Sequence, residues 1–205
     1  MIDAALLPIQ RRVLTPPARW LAARGIHADH ITLVGFAVGV LTVPALAIGA
    51  YGLALAFLVV NRLADGLDGT VARMSRPTDR GAFLDIALDF VFYALFPLGF
   101  AFASPDKNAL AAAVLIATFV GTGSSFLAFA SIAAKRGERA ASYPTKGIYY
   151  LGGLTEGFET IAIFAAMCLF PKSFPVLAYG YAAACALTTI LRWRQGWLAF
   201  SPQKP

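Results

Sequence analysis

Residues 61–89 read NRLADGLDGTVARMSRPTDRGAFLDIALD. Apolar chain enters this stretch from both sides. Five charged side chains, Arg62, Asp65, Asp68, Asp85 and Asp89, therefore fall inside runs that are otherwise apolar enough to cross a bilayer. An ionisable group in the hydrocarbon is costly and marks a functional site or a specific partner. Four of the chain's 11 acidic residues are these aspartates, all within 25 positions of one another. One arginine does not neutralise four carboxylates, whereas divalent cations do.

Helical geometry brings the acids together. Asp65 and Asp68 stand at i, i+3 and Asp85 and Asp89 at i, i+4, so each pair occupies one face of its helix. A short turn at Arg76-Pro77 makes the two helices antiparallel neighbours, with both pairs near the same membrane surface. Four convergent carboxylates are hard oxygen ligands suited to Mg²⁺ or Mn²⁺, and two such ions balance their charge. Asn61, Asp65, Asp68, Gly69 and Ala72 span an arc of about 100° on the first helix. Gly81, Asp85 and Asp89 form one row on the second. Small residues in such rows admit a ligand or another helix.

The rest of the chain agrees with a membrane setting. Of 205 residues, 59% are hydrophobic and 14% charged, against about 45–50% and about 25% in soluble domains. That balance excludes a disordered chain and argues against a water-soluble enzyme. Cys168 and Cys185 are too few for a disulfide framework. A helix needs about 20 mostly apolar residues to span a bilayer. Six segments qualify, near 31–50, 52–72, 82–104, 109–133, 153–171 and 174–193. The reading is a single domain over 1–205. It is an all-α integral membrane protein, with a six-helix transmembrane bundle over 28–198 and an N-terminal interfacial amphipathic helix over 1–25. In that first segment apolar residues alternate with Arg11, Arg12, Arg19 and Arg24 on a helical period, interrupted by Pro16 and Pro17. This suits a helix lying among anionic headgroups, with an ordinary solvated helix as the alternative. Outside the spans, 13 Lys and Arg residues fall on the side of the termini and two, Lys107 and Lys172, on the other. The bias places both termini in the cytoplasm, and it accounts for the net charge of +6 without a nucleic-acid partner.

Written as a pattern, the stretch is Asp65-x2-Asp68-Gly69-x2-Ala72-Arg73-x7-Gly81-x3-Asp85-x3-Asp89. This resembles the signature of the CDP-alcohol phosphotransferases, membrane enzymes of phospholipid synthesis, with all eight fixed positions present. The resemblance implies transfer of a phosphatidyl group from CDP-diacylglycerol to a small alcohol, with release of CMP. It implies that Asp65, Asp68, Asp85 and Asp89 ligate two divalent ions, and that Asp89 takes the proton of the attacking hydroxyl. It assigns Asp65, Gly69, Ala72, Arg73, Thr78 and Gly81 to the cytidine diphosphate. Upstream, Asp29-His30-Ile31-Thr32 is similar to the family's segment opening the first span, which places Asp29 and Thr32 near the nucleotide. The family is commonly dimeric, so a homodimer is implied. Those roles suit the chemistry: bridging cations withdraw charge from a diphosphate, and an arginine fork matches phosphate oxygens.

The acceptor side is less determined. Lys135, Arg136 and Arg139 form either a basic pocket for a phosphorylated acceptor, of glycerol phosphate or inositol phosphate type, or ordinary positive-inside anchoring. Arg192, near the end of the last span, either snorkels to the surface or points into the site. Glu156 and Glu159 either pair with basic neighbours such as Arg192 or Lys146, or bind acceptor hydroxyls or an ammonium group. The last option makes a serine or choline type acceptor conceivable. His27 and His30 lack further zinc ligands nearby. Tyr143, Tyr149, Tyr150, Trp193 and Trp197 read as an interfacial aromatic belt, and Gly121 and Gly123 as helix packing, within the chain or between subunits. The competing reading of the buried acids is a divalent-cation transporter or channel. That reading leaves Gly69, Arg73 and Gly81 at those intervals unexplained.

Overall fold

The computed structural model describes residues 2–75, 77–137 and 154–201, with side chains from residue 12 onward. Arg76, Arg139, Tyr143, Lys146, Tyr149, Tyr150 and Lys204 lie outside the described residues. All regular structure among the described residues is helical: α1 (Ile2–Ala23), α2 (Ala28–Val40), α3 (Thr42–Ala47), α4 (Tyr51–Met74), α5 (Asp79–Ala103), α6 (Pro105–Lys135), α7 (Gly157–Leu169) and α8 (Phe174–Ala199), with a 3₁₀ turn, Pro171–Ser173, before the last.

Among the described residues, four helical stretches are long and apolar enough to cross a membrane: Ala28–Ala47, Asp79–Ala103, Pro105–Lys135 and Pro171–Ala199. They present large apolar side chains outward, among them Leu33, Val34, Leu110, Val120 and Val176. An exterior of this kind fits lipid and not water. The other two expected spans differ for physical reasons. α4, about 36 Å long at 1.5 Å per residue, has the length, but from its midpoint onward it carries Arg62, Asp65, Asp68 and Arg73. α7 has 13 residues, about 20 Å, and begins only at Gly157.

Two further expectations are corrected. α1 continues through Pro16 and Pro17 as one helix. Those prolines leave the carbonyls of Arg12 and Val13 without intrahelical donors, and both residues are exposed, so water or headgroups can reach those oxygens. Leu14 and Ala18 on the opposite side are buried, and α1 packs on α4. The first span, in contrast, is broken at Leu41 into α2 and α3. Pro44 has no N–H for the carbonyl of Val40, which ends the regular ladder there.

The interior is aromatic. Phe92, Phe96, Phe100, Phe164 and Phe174 are fully buried. Phe96 stacks on Phe164 with ring centroids 4.1 Å apart, and Phe100 on Phe174 at 4.3 Å. These contacts tie α5 to α7 and α8, while α6 packs along both α5 and α8. Gly121 and Gly123 serve that packing within the chain, facing Thr189 and the Phe90 ring.

α2 decides where the site lies. It packs against both α4 and α5. A methyl added at Gly35 would stand 2.5 Å from the Ala64 Cβ, and one at Gly39 2.8 Å from the Asn61 Nδ2. Only glycine permits so close an approach to α4. The α4 and α5 backbones stay apart along most of their length, and the two antiparallel neighbours meet through side chains, with Arg62 reaching Asp89. Their facing rows are carboxylates, which repel, and a cavity lies between the two helices.

Candidate active site

The cavity is lined by Thr32, Gly35 and Phe36 from α2, by Asn61, Arg62, Asp65 and Asp68 from α4, and by Asp85, Leu88, Asp89 and Phe92 from α5. Asp85 and Asp89 lie about 9 and 15 Å along α5 from its start, and Asp68 and Asp65 about 9 and 14 Å back from the end of α4. Equal distances from one hairpin put all four at the same depth. Phe92, one turn beyond Asp89, forms the apolar floor.

One carboxylate oxygen from each of Asp65, Asp85 and Asp89 lies within 4.8 Å of the others. Three hard oxygens so close could hold a small divalent ion. The cavity measures about 20 Å³, room for an ion or water and not for a nucleotide. Asp68 lines the same cavity but stands outside this cluster. Thr32 donates from Oγ1 to its Oδ2 at 2.5 Å. Of the four expected ligands, three converge directly and the fourth is held one step aside by α2.

Arg62 adds an internal cation. Its Nη2 donates to Asp89 Oδ1 at 2.8 Å, its Nε and Nη2 donate to Asn61 Oδ1 at 2.8 and 2.6 Å, and its Nη1 is 3.9 Å from Asp65. Asn61 is buried and donates to the Gly35 carbonyl at 3.0 Å. Sequence reasoning singled out Arg62 as a misplaced charge without giving it a role. Its partner was not legible because Asp65, Asp68, Asp85 and Asp89 were all within reach.

The other expected residues do not line the cavity and lie near the ends of α2, α4 and α5. Thr78 caps α5, accepting from the Gly81 N–H at 3.0 Å. A methyl at Gly81 would stand 3.1 Å from Asp29 Oδ1 and 3.2 Å from Thr78 Oγ1, so the starts of α2 and α5 meet there. Asp29 accepts from Arg80 Nε at 2.7 Å, a partner the sequence did not suggest. On α4, Arg73 donates from Nη2 to Thr70 Oγ1 at 3.1 Å, and its guanidinium lies over Gly69. Ala72 is half-buried on the next turn. Asp29, Thr78 and Gly81 thus form one group and Gly69, Ala72 and Arg73 another, at the ends of α2, α4 and α5.

A family model described as CDP-alcohol phosphatidyltransferase matches residues 25–193. The chain belongs to this family. It is 52% identical over 198 residues to the inner membrane protein YnjF of Escherichia coli K12, covering 97% of this chain and 96% of that one. It is 41% identical over 83 residues to the archaetidylinositol phosphate synthase of Methanothermobacter thermautotrophicus, covering 40% of this chain and 41% of the relative. In fold it resembles the crystal structure of Mycobacterium tuberculosis phosphatidylinositol phosphate synthase with CDP-DAG bound. There the TM-score is 0.73 at 22% identity, over 95% of this chain and 100% of that one. The protein is accordingly an integral membrane transferase of phospholipid synthesis. Membership decides for a CDP-alcohol phosphatidyltransferase over a cation pathway, and a family that uses divalent metals fits a three-carboxylate cluster.

The acceptor residues are placed as follows. Lys135 is exposed in the last turn of α6, and Arg136 donates to the carbonyls of Ala199 and Phe200 at 3.1 and 3.3 Å, bracing the end of α8. Arg192 is buried and donates to the Thr122 carbonyl at 3.0 Å. It points into the bundle and does not snorkel. Glu156 and Glu159 form a reciprocal capping box at the start of α7, with Glu159 Oε2 accepting from the Glu156 N–H at 3.2 Å. The signal was present in the sequence: an acid at the cap, a second three residues on, then an apolar run.

Proposed function

We propose that the protein transfers a phosphatidyl group from CDP-diacylglycerol to the hydroxyl of a small phosphorylated polyol, of inositol phosphate or glycerol phosphate type, releasing CMP. The observation that carries this reading is the convergence of Asp65, Asp85 and Asp89 oxygens within 4.8 Å, beside Asp68, at the end of the α4–α5 hairpin.

The residues divide the work. Asp65, Asp68, Asp85 and Asp89 would hold two divalent ions, Mg²⁺ or Mn²⁺, whose chemistry is to neutralise the diphosphate and stabilise departing CMP. Arg73, beside Gly69 and Ala72, offers a planar fork to phosphate oxygens. Asp29, Thr32, Thr78 and Gly81 frame the nucleotide where α2 meets α5. Asp89 accepts the acceptor's hydroxyl proton as that oxygen bonds to the phosphorus bearing diacylglycerol and the P–O bond to CMP breaks. Phe92 and Phe36 keep water from the inner side, where it would compete as a nucleophile.

A phosphorylated acceptor is favoured over serine or choline because both candidate glutamates already serve the cap of α7. Lys135 and Arg139 would supply positive charge for the acceptor's phosphate, joined by Arg136 and Arg192 where the phosphate replaces the backbone carbonyls they now hold. The name of the archaeal relative, matched over 83 residues at 41% identity, points the same way. The Lys and Arg bias puts the site and both termini on the cytoplasmic side of an inner or plasma membrane, with six helices spanning it and α1 on the surface. A homodimer completes the assembly.

The test is release of CMP by the full-length protein in nanodiscs with CDP-diacylglycerol and Mn²⁺. Inositol phosphate, glycerol phosphate, serine and no acceptor are compared. CMP release that depends on a phosphorylated polyol supports the reading. No release above that of Asp89→Asn with any acceptor overturns it.

A further inference from the structure

We infer that Arg62 is a built-in counter-ion of the acidic cluster, which orients Asp89 and weakens the grip of the cluster on a divalent cation. The inference rests on the reading that Asp65, Asp85 and Asp89 hold such an ion, and it adds a residue that the eight-position pattern does not contain.

Four observations carry it. The Arg62 guanidinium reaches two of the three clustered carboxylates, Asp89 at 2.8 Å and Asp65 at 3.9 Å. It is fixed from behind, because Asn61 accepts two of its N–H groups and is itself tied to the Gly35 carbonyl. Its guanidinium carbon lies over the Phe92 ring, 5.1 Å from the ring centre, so the floor of the cavity backs it. Gly39 leaves no space for Asn61 to retreat, since even a methyl there would stand 2.8 Å from its Nδ2. A long, flexible side chain has become a rigid one with a defined aim.

Two consequences follow from elementary electrostatics. An ion pair to one oxygen of Asp89 leaves the other oxygen to face the cluster, so Arg62 is a positioning residue for the proposed base. Asp65, Asp68, Asp85 and Asp89 line the cavity with four negative charges, and Arg62 returns one positive. One divalent ion then leaves a single negative charge, and a second over-neutralises the site. A further cation meets a fixed positive charge a few ångströms away, in surroundings that screen little, until the donor's diphosphate brings negative charge of its own. Arg62 thereby links full loading of the site to the presence of the nucleotide.

The experiment is Mn²⁺ binding to the full-length protein in detergent, read by electron paramagnetic resonance without substrate and paired with CMP-release kinetics. Arg62→Gln removes the charge and Arg62→Lys keeps it. Arg62→Met is a second neutral variant in case Gln disturbs the fold. Both neutral variants are expected to bind Mn²⁺ at least about tenfold more tightly than the parent and to lose kcat at saturating Mn²⁺. Arg62→Lys is expected to stay within about threefold of the parent in affinity. A merely structural role lowers affinity and rate together, so opposite movement is the signature. Unchanged or weaker Mn²⁺ binding in a neutral variant with the parent's thermal transition overturns the inference, as does tenfold tightening in Arg62→Lys. A parent protein that binds no Mn²⁺ overturns the functional reading beneath it as well.

Discussion

Thr32 on α2 donates its hydroxyl to Asp68 on α4 at 2.5 Å, across 36 residues of chain. The Ala28 carbonyl, 3.1 Å from the same oxygen, is the alternative acceptor for that one proton within α2. Asp68 is buried, and a buried carboxylate without a donor is costly. Thr32 supplies such a donor, and Asp68 stands outside the cluster of Asp65, Asp85 and Asp89. Thr32→Val keeps the shape and removes the hydroxyl. Hydrogen bonds to charged groups contribute about 1.5–3 kcal/mol, so CMP release is expected to fall by about ten- to a hundredfold while the helical signal persists. Steady-state kinetics beside circular dichroism check this. Parental kinetics in the variant would show that Asp68 needs no help from α2.

In the proposed reaction Asp89 is the acid that takes the hydroxyl proton. It joins the three-carboxylate cluster and accepts from Arg62. Asp89→Asn retains the shape and abolishes the proton acceptor. General-base catalysis contributes typically about 10²–10⁴-fold, so kcat is expected to drop by at least about a hundredfold. The KM for CDP-diacylglycerol should change far less, because Asp29, Gly69, Arg73, Thr78 and Gly81 remain. Equal losses in kcat and in donor binding would instead make Asp89 a binding residue.

Removal of divalent ions gives a complementary expectation. The cluster presents only carboxylate oxygens and no histidine or cysteine, a donor set for hard cations and not for zinc. Chelation by EDTA is expected to bring CMP release to background, and Mg²⁺ or Mn²⁺ to restore it. Asp85→Asn should raise the Mn²⁺ concentration needed for half-restoration by at least about tenfold, since a three-oxygen site loses one anionic ligand. Activity that survives exhaustive chelation would contradict the assignment of these acids.

Much of this site was legible because its parts are local in sequence. The i, i+3 and i, i+4 spacings of Asp65, Asp68, Asp85 and Asp89 fix their helix faces, and the hairpin fixes their common depth. What was not legible comes from α2, which enters between α4 and α5 from 26 to 36 residues away. Gly35 and Gly39 look like ordinary span glycines until the Ala64 and Asn61 side chains are seen against them. The partner of Arg62 needed three-dimensional placement for the same reason. Glu156 and Glu159 differ, because their capping-box spacing is local and competed with the more attractive idea of an acceptor site.

The contact between Gly39 and Asn61 yields the last expectation, which separates packing from chemistry. A methyl at Gly39 would stand 2.8 Å from Asn61 Nδ2, 3.0 Å from Asn61 Cγ and 3.1 Å from the Phe92 ring. Asn61 is buried between α2 and α4 and anchors Arg62, so it has little freedom to yield. Overpacking of this kind costs typically about 1–3 kcal/mol. Gly39→Ala is therefore expected to lower the thermal transition of the detergent-purified protein, and to lower kcat by displacing the Asn61–Arg62–Asp89 chain. Gly180 on α8 is the control. Nothing lies within 4 Å of a methyl placed there, and alanine is favoured over glycine within a helix by about 0.8–1.0 kcal/mol. Gly180→Ala should leave CMP release unchanged and leave the transition equal or higher. If both variants melt alike, the close approach of α2 to α4 is not what holds the site in shape.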